Sequence, residues 1–182
     1  CISLSQDVQC EIFDYPEEFF NEKIHTIRRP RPDDFQIKQA ADLIKKSKNP
    51  IIISGGGIFY SDAMKELSQF AKKHNIPTAQ TVMGYSTMKK DDPYFLGAIG
   101  GFGGKAPNDF MKKTDLAIAI GTKLADFTTG SWTNFENPNF KLVSINVSRF
   151  DANKHMAQSI VGDAKVCIQD LTVALGSWKA SD

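Results

Sequence analysis

A doubly wound, mainly parallel α/β sheet with helices on both faces is the fold class this sequence predicts, and three observations predict it. Three short apolar runs, Ile51-Ile52-Ile53-Ser54, residues 116–120 and residues 142–146, lack the alternation of a half-solvated strand. Each stops at a turn: Gly55-Gly56-Gly57, Gly121 and Val147-Ser148. Helix-like stretches separate the runs. Short unalternating runs bounded by turn signals read as strands buried on both faces, the pattern of a parallel sheet. Ligands in such sheets bind beyond the carboxyl ends of the strands, so these three turns are where a site is to be sought.

Taken in order, residues 1–32 show no sustained period and end in Arg28-Arg29-Pro30-Arg31-Pro32, where two prolines enforce extended backbone; this reads as a solvated interdomain linker. Asp33 supplies an N-cap, with Gln36 completing a capping box, and Phe35, Ile37, Ala40, Ala41 and Ile44 form an apolar stripe to about Ser47. The first strand follows Pro50. After the triple glycine, Ser61 is the expected N-cap of a second helix with Met64, Leu67, Phe70 and Ala71 inward, ending at His74-Asn75. Pro77 opens a weaker strand over 78–82, and residues 95–99, interrupted by Gly97, make a poor one. A short helix over 107–113 precedes the strand at Leu116, and a polar loop leads to the strand at Leu142. Residues 159–161 form a brief strand, and from Asp163 a last helix aligns Cys167, Leu171, Ala174, Leu175 and Trp178.

At 182 residues, with 41% hydrophobic and 24% charged residues, the chain can bury one sizeable core. A net charge of +1 gives no field toward nucleic acid or an anionic membrane. No apolar stretch approaches the roughly 18 residues of a membrane span. Cys1, Cys10 and Cys167 are odd in number and lack Cys-x-x-Cys spacing, which suits a reducing cytoplasm. The start at Cys1-Ile2-Ser3-Leu4-Ser5, without Met, reads as the end of a strand from an upstream domain, so a piece of a longer chain is expected: residues 1–32 as tail and linker, 33–182 as one domain.

Two glycine clusters are candidate nucleotide contacts. Gly55, Gly56 and Gly57 lie between a strand and a helix, where N–H groups favour an anion, yet Tyr60 stands where a dinucleotide fingerprint needs its third glycine. Gly101-Phe102-Gly103-Gly104-Lys105-Ala106 fits G-x-G-x-x-A, with Asp126 about twenty residues on; Gly103 and Gly104 are its candidate contacts. Lys123, just past the strand that ends at Ile120, and Arg149 and Asp151, past the last of the three turns, are candidate phosphate or ribose partners. The three histidines are scattered, H-E-x-x-H and G-x-S-x-G are absent, and Cys167 sits in apolar company, so no metal and no catalytic residue is predicted.

In this order the pieces resemble a known family. Leu4-Ser5-Gln6-Asp7-Val8-Gln9 is similar to the end of the pyrimidine-binding domain in thiamine-diphosphate enzymes of the acetolactate synthase type. Residues 50–58, Gly84 with Gly97 and Gly100, residues 115–121, 145–151 and Ile160-Val161-Gly162-Asp163-Ala164 resemble their Rossmann-like central domain. Gln6-Asp7-Val8-Gln9, Tyr15-Pro16-Glu17 and Arg28 to Asp33 most resemble the branch that hydrolyses a ring C–C bond of a cyclic trihydroxy-dione in myo-inositol catabolism.

The resemblance implies a parent enzyme in which the thiamine ylide adds to a carbonyl of the cyclic dione, the ring C–C bond breaks and water releases 5-deoxyglucuronate. It implies thiamine diphosphate and Mg held by other domains, two further domains as partners, and a homo-oligomer, dimer or tetramer, of the parent. FAD or ADP binds this crevice in some relatives, and Lys123 in place of arginine weakens the case for FAD. Gly162-Asp163-Ala164 lacks the final glycine of the Mg-diphosphate motif, so this chain alone is expected to be an inactive scaffold. An acetolactate synthase-like parent and a free-standing ADP- or FAD-binding module are the alternatives.

Overall fold

The structure, a computed structural model, describes residues 2–181; Cys1 lies outside the described residues. In chain order the elements are α1 (Asp34–Ile44), β1 (Pro50–Ser54), α2 (Gly57–Tyr60), α3 (Met64–His74), β2 (Thr78–Gln80), β3 (Phe95–Ala98), α4 (Lys105–Lys113), β4 (Leu116–Ile120), α5 (Asp126–Thr129), β5 (Lys141–Asn146), α6 (Arg149–Ala152), β6 (Gln158–Val161) and α7 (Ala164–Leu175). The six strands form one sheet in the order β3-β2-β1-β4-β5-β6, every pair parallel. The chain thus works outward in one direction from β1, then returns and works outward in the other from β4. That reversal leaves a crevice between the carboxyl ends of β1 and β4, the usual ligand position in open sheets.

Residue size sets what covers each face. Along β4, Leu116, Ile118 and Ile120 point to one side, where Ile52, Val143, Ile145 and Ile160 join them beneath α1, α3 and α7. Ala117 and Ala119 point to the other, and their small side chains admit bulk from above: Met111 and Phe110 of α4, and Trp132, Phe135 and Phe140 from the connection to β5. Pleating sends neighbouring residues to opposite faces, so the LAIAI of β4 specifies both layers at once.

Several sequence expectations need correction. Asp33 does cap α1, accepting from the N–H groups of Phe35 and Gln36, but Gln36 does not close a capping box; its Oε1 accepts from Val161 N–H at the end of β6. Phe35 and Met64, expected inward, are exposed. Ser61 does not cap α3. The triple glycine enters helix already at Gly57, Ser61 ends that turn, and its hydroxyl instead accepts from Ala164 N–H. The expected strand over 78–82 stops at Gln80, because Thr81 turns the chain into a 3-10 turn, Val82–Gly84. Residues 95–98 are a true edge strand, whose register against β2 shifts where Gly97 adopts φ +113°. Trp178 lies beyond α7, which ends at Gly176 with positive φ.

Cys167 behaves as expected of core: burial, with the charges of Asp163 and Asp170, pushes its thiol up to about 12. Cys10 is exposed and has no disulfide partner among the described residues. Among the described residues, no helix is long and apolar enough to cross a membrane.

The run 28–32 is not a solvated linker. The Arg29 guanidinium donates to Asp163 Oδ2 at 3.0 Å and to the Ser61 carbonyl at 2.7 Å. Arg31 reaches both carboxylate oxygens of Asp170 at 2.9 Å, the Pro30 carbonyl accepts from Asp163 N–H, and Pro32 is buried. Residues two apart on extended backbone face the same way, and residues seven apart on a helix share a face. The arginine pair therefore matches the aspartate pair of α7.

Candidate functional site: the switch-point crevice

Beyond the carboxyl ends of the strands lies a cavity of about 1090 Å³. Drug-sized ligand sites span about 300–1,000 Å³, so this one has room for a large ligand or a protein segment. Its floor is the close approach of two turns. A Cβ on Gly57 would stand 2.6 Å from the Gly121 Cα, and Gly121 has φ +63°, so neither position accepts a side chain without moving backbone. Gly57 N–H donates to the Gly121 carbonyl at 2.9 Å, locking the β1 turn onto the β4 turn.

One wall is the loop after β2. Ser54 Oγ lies 2.7 Å from Thr87 Oγ1, which donates to the Gly84 carbonyl, while Gln80 Oε1 accepts from Ser86 N–H; these bonds set Val82 and Met83 at the edge. The opposite wall is the loop after β5. Asn146 donates to the Thr122 carbonyl and accepts from Ser148 N–H, and Ser148 Oγ accepts from Asp151 N–H. A third wall is the incoming chain, Ile27, Arg28 and Pro30, held by the Arg29 anchor. Phe102 and Phe127, stacked at 5.7 Å, stand exposed on the rim.

Of the predicted contacts, the structure brings Gly56, Gly57, Lys123 and Asp151 to this cavity and leaves Gly55, Gly103, Gly104 and Arg149 outside it. Gly55 is buried against Gly121 and Thr122, where a Cβ would meet the Gly121 carbonyl oxygen at 2.4 Å. Gly103 packs on Ala98 and Ile99, and Gly104 is the N-cap of α4. The second glycine cluster serves chain packing: Gly100 is bracketed by the Asn108 side-chain amide, and Gly101 N–H donates to the Phe127 carbonyl. Asp126 starts α5 and Arg149 starts α6; neither lines the cavity.

The charges of the cavity are mixed. Lys123 and Arg28 are its exposed cations. Asp151 is held below the usual carboxylate range first by the hydrogen bond from Lys154, and also by Ser148 and the nearby Lys123, which outweigh its burial. Asp163, the look-alike of a metal-diphosphate aspartate, is fully engaged: Oδ1 accepts from Lys165 and Val166 N–H as the cap of α7, and Oδ2 from Arg29. A Cβ on Gly162 would meet Cys167 Sγ at 2.8 Å and Pro32 N at 3.0 Å, so that turn is packed against protein. The residues present do not fit a magnesium-diphosphate group. Among the described residues, no group of three or more His, Cys, Asp or Glu is placed to hold a metal ion.

Sequence reading missed Ile27, Arg28, Arg29 and Pro30 as part of the crevice. The signal available was the i, i+2 arginine spacing opposite the i, i+7 aspartates of the last helix.

The model of the family described as "Thiamine pyrophosphate enzyme, central domain" matches residues 37–171. A 3D-(3,5/4)-trihydroxycyclohexane-1,2-dione hydrolase of Clostridium perfringens is 46% identical over 175 residues, covering 96% of this chain and 27% of that protein. The Clostridium botulinum protein of the same name is 47% identical over 171 residues, 94% of this chain and 27% of its own. The chain therefore spans about a quarter of the length of these relatives. Among solved structures, benzoylformate decarboxylase from Polynucleobacter necessarius superposes with a TM-score of 0.67 at 23% identity, over 93% of this chain and 31% of that one. That likeness speaks to fold alone.

Proposed function

This chain belongs to the family of thiamine pyrophosphate enzyme central domains, and we propose that it is the scaffold domain of a longer thiamine-diphosphate-dependent hydrolase that opens the ring of 3D-trihydroxycyclohexane-1,2-dione. The observation that carries the reading is the match itself, 46% identity over nearly the whole chain against a quarter of the relative. Residues 1–32 are then the end of the preceding domain and the linker, and residues 33–182 the central domain. Thiamine diphosphate and magnesium belong to the flanking domains, supported here by Asp163 being consumed as a helix cap and as the partner of Arg29. When bound, thiamine diphosphate supplies a carbanion equivalent that attacks a carbonyl. The residues of this chain hold the sheet, floor the crevice and fix the incoming strand of chain. The parent is a cytoplasmic homo-oligomer in this reading.

The test is calorimetry with thiamine diphosphate and Mg²⁺ on this chain and on the longer protein. The expected result is binding by the longer protein alone, with hydrolysis of the dione; micromolar binding by the 182-residue chain overturns the scaffold reading.

A second reading, a crevice that takes ADP or FAD, is favoured by the cavity at the switch point with Gly56, Lys123 and Arg28 on its walls. A yellow purified protein, or a rise in Tm with ADP, FAD or NAD, selects it; saturation at about 100 times Kd stabilises by about 2.7 kcal/mol.

A further inference from the structure

The segment ahead of the Arg29 anchor is built unlike a linker. Flexible linkers are rich in Gly, Ser or Pro, whereas residues 2–26 expose nine large apolar side chains, Ile12, Phe13, Phe19 and Phe20 among them. Four of the rings form a knot: Tyr15 lies 5.2 Å from Phe13, 4.8 Å from Phe19 and 6.1 Å from Phe20, centroid to centroid. A 3-10 turn, Glu17–Phe20, started by Pro16, brings them together. Among the described residues, the hydrogen bonds of this segment stay within it, as in Gln9 to Ser5.

Its charge is one-sided. Asp7, Glu11, Asp14, Glu17, Glu18 and Glu22 precede the first cationic residue, Lys23, so all 22 Lys and Arg of the chain lie from there onward, against the other 15 of its 21 acids. Contiguous exposed apolar surface of this kind marks an interface, and the acidic border selects a basic counterpart.

We propose that residues 2–26 are a docking arm for the adjoining domain of the longer polypeptide, which meets them with a basic, apolar surface. This rests on the scaffold reading above. Two facts favour that occupant. The 175-residue match to the Clostridium perfringens protein takes in most of the arm, and that protein continues well beyond it. The clasp of Arg29 and Arg31 on α7 fixes where the arm leaves the body, beside the N-terminal half of that helix.

Trypsin reads the arm directly, because Lys23-Ile24 is its single tryptic bond. In the longer enzyme this bond is expected to be cut about tenfold or more slowly than in the 182-residue chain. The double variant Phe19→Ala/Phe20→Ala in the longer enzyme restores fast cutting, and so, in part, does raising salt from about 0.05 to about 0.5 M. Equal rates in the two proteins overturn the proposal, as does a double variant that stays protected. Protection that grows with concentration in the 182-residue chain assigns the arm to a second copy and also overturns it. Thiamine diphosphate binding, measured on the same samples, is retained by the double variant; its absence from the unaltered longer enzyme sinks the scaffold reading while the cleavage rates still report on the arm.

Discussion

The Arg29 guanidinium lies 3.0 Å from Asp163 Oδ2, across 134 positions of sequence, and ties the incoming chain to the N-terminus of α7. Asp163 is buried and also caps that helix, so one carboxylate closes both the helix and the crevice wall.

Arg29→Ala leaves this buried carboxylate without its cation and is expected to cost about 1–3 kcal/mol. Asp163→Ala removes the cap as well and costs more, about 3 kcal/mol. Urea unfolding of both and of the double variant should show coupling of about 1 kcal/mol or more. Additive losses would mean that the two side chains act separately. In the same variants, tryptic cleavage after Arg28 should accelerate.

The contact of Gly57 with Gly121 predicts a second outcome. Gly57→Ala places a Cβ 2.6 Å from backbone and should destabilise by about 3 kcal/mol. Gly101→Ala meets the Phe127 ring edge at 3.8 Å and its carbonyl oxygen at 3.9 Å, both ordinary contacts, and should stay within about 0.5 kcal/mol. Thermal unfolding of the pair separates close approach from glycine content.

Asp115 organises the turn into β1. Its carboxylate accepts from the Ser47 hydroxyl and from the N–H groups of Lys48 and Asn49; burial alone would raise its titration, but these bonds hold it below the usual carboxylate range. A depressed folded value gives stability that is present above the ordinary 3.8 and lost as pH falls through the folded value. Asp115→Ala should cost about 3 kcal/mol at neutral pH, and the deficit should shrink in acid, read by urea midpoints at stepped pH.

His74 fastens the chain after α7. Its Nδ1 lies 2.7 Å from the Trp178 carbonyl, its backbone carbonyl accepts from Ala180 N–H, and its buried Nε2 has no hydrogen-bond partner among the described residues. Burial, aided by neighbouring Lys73, lowers its titration below 6.5 despite the bond to Trp178. The unfolded chain then binds the proton first, so stability is full above 6.5 and declines as pH falls toward the folded value. Urea midpoints between pH 7.5 and 5.5 should fall, and His74→Phe should flatten that slope while costing about 1 kcal/mol or more at pH 7.5. An unchanged slope in the variant would place the effect elsewhere.

Both layers of the sheet and the place of the crevice are legible in sequence because they follow from local rules. β4 alternates Leu and Ile with Ala, α1 opens on Asp33 and α7 on Asp163, and each strand ends at Gly or a polar turn. The caps that failed were those with a competing long-range partner: Gln36 is taken by Val161 and Ser61 by Ala164. Of the predicted contacts, Gly56, Gly57, Lys123 and Asp151 reach the cavity from the turns beyond the strands' carboxyl ends, whereas Gly55, directly after β1, is covered by the neighbouring turn at Gly121. Gly103 and Gly104 do not, because glycine spacing alone cannot separate a turn that cradles a ligand from one that packs on its own chain.

By itself, then, the sequence determined a parallel sheet, its amphipathic covers and its family resemblance, all properties of residues near one another or of their order. Tertiary structure alone decided that Arg29 and Arg31 meet Asp163 and Asp170, that the incoming chain walls the crevice, and that Asp163, besides capping α7, is occupied as an ion-pair partner. Those are pairings across more than a hundred residues, set by how α7 lies against the end of the sheet; the matching spacings of the arginines and aspartates are visible in sequence, but only the packing brings them face to face.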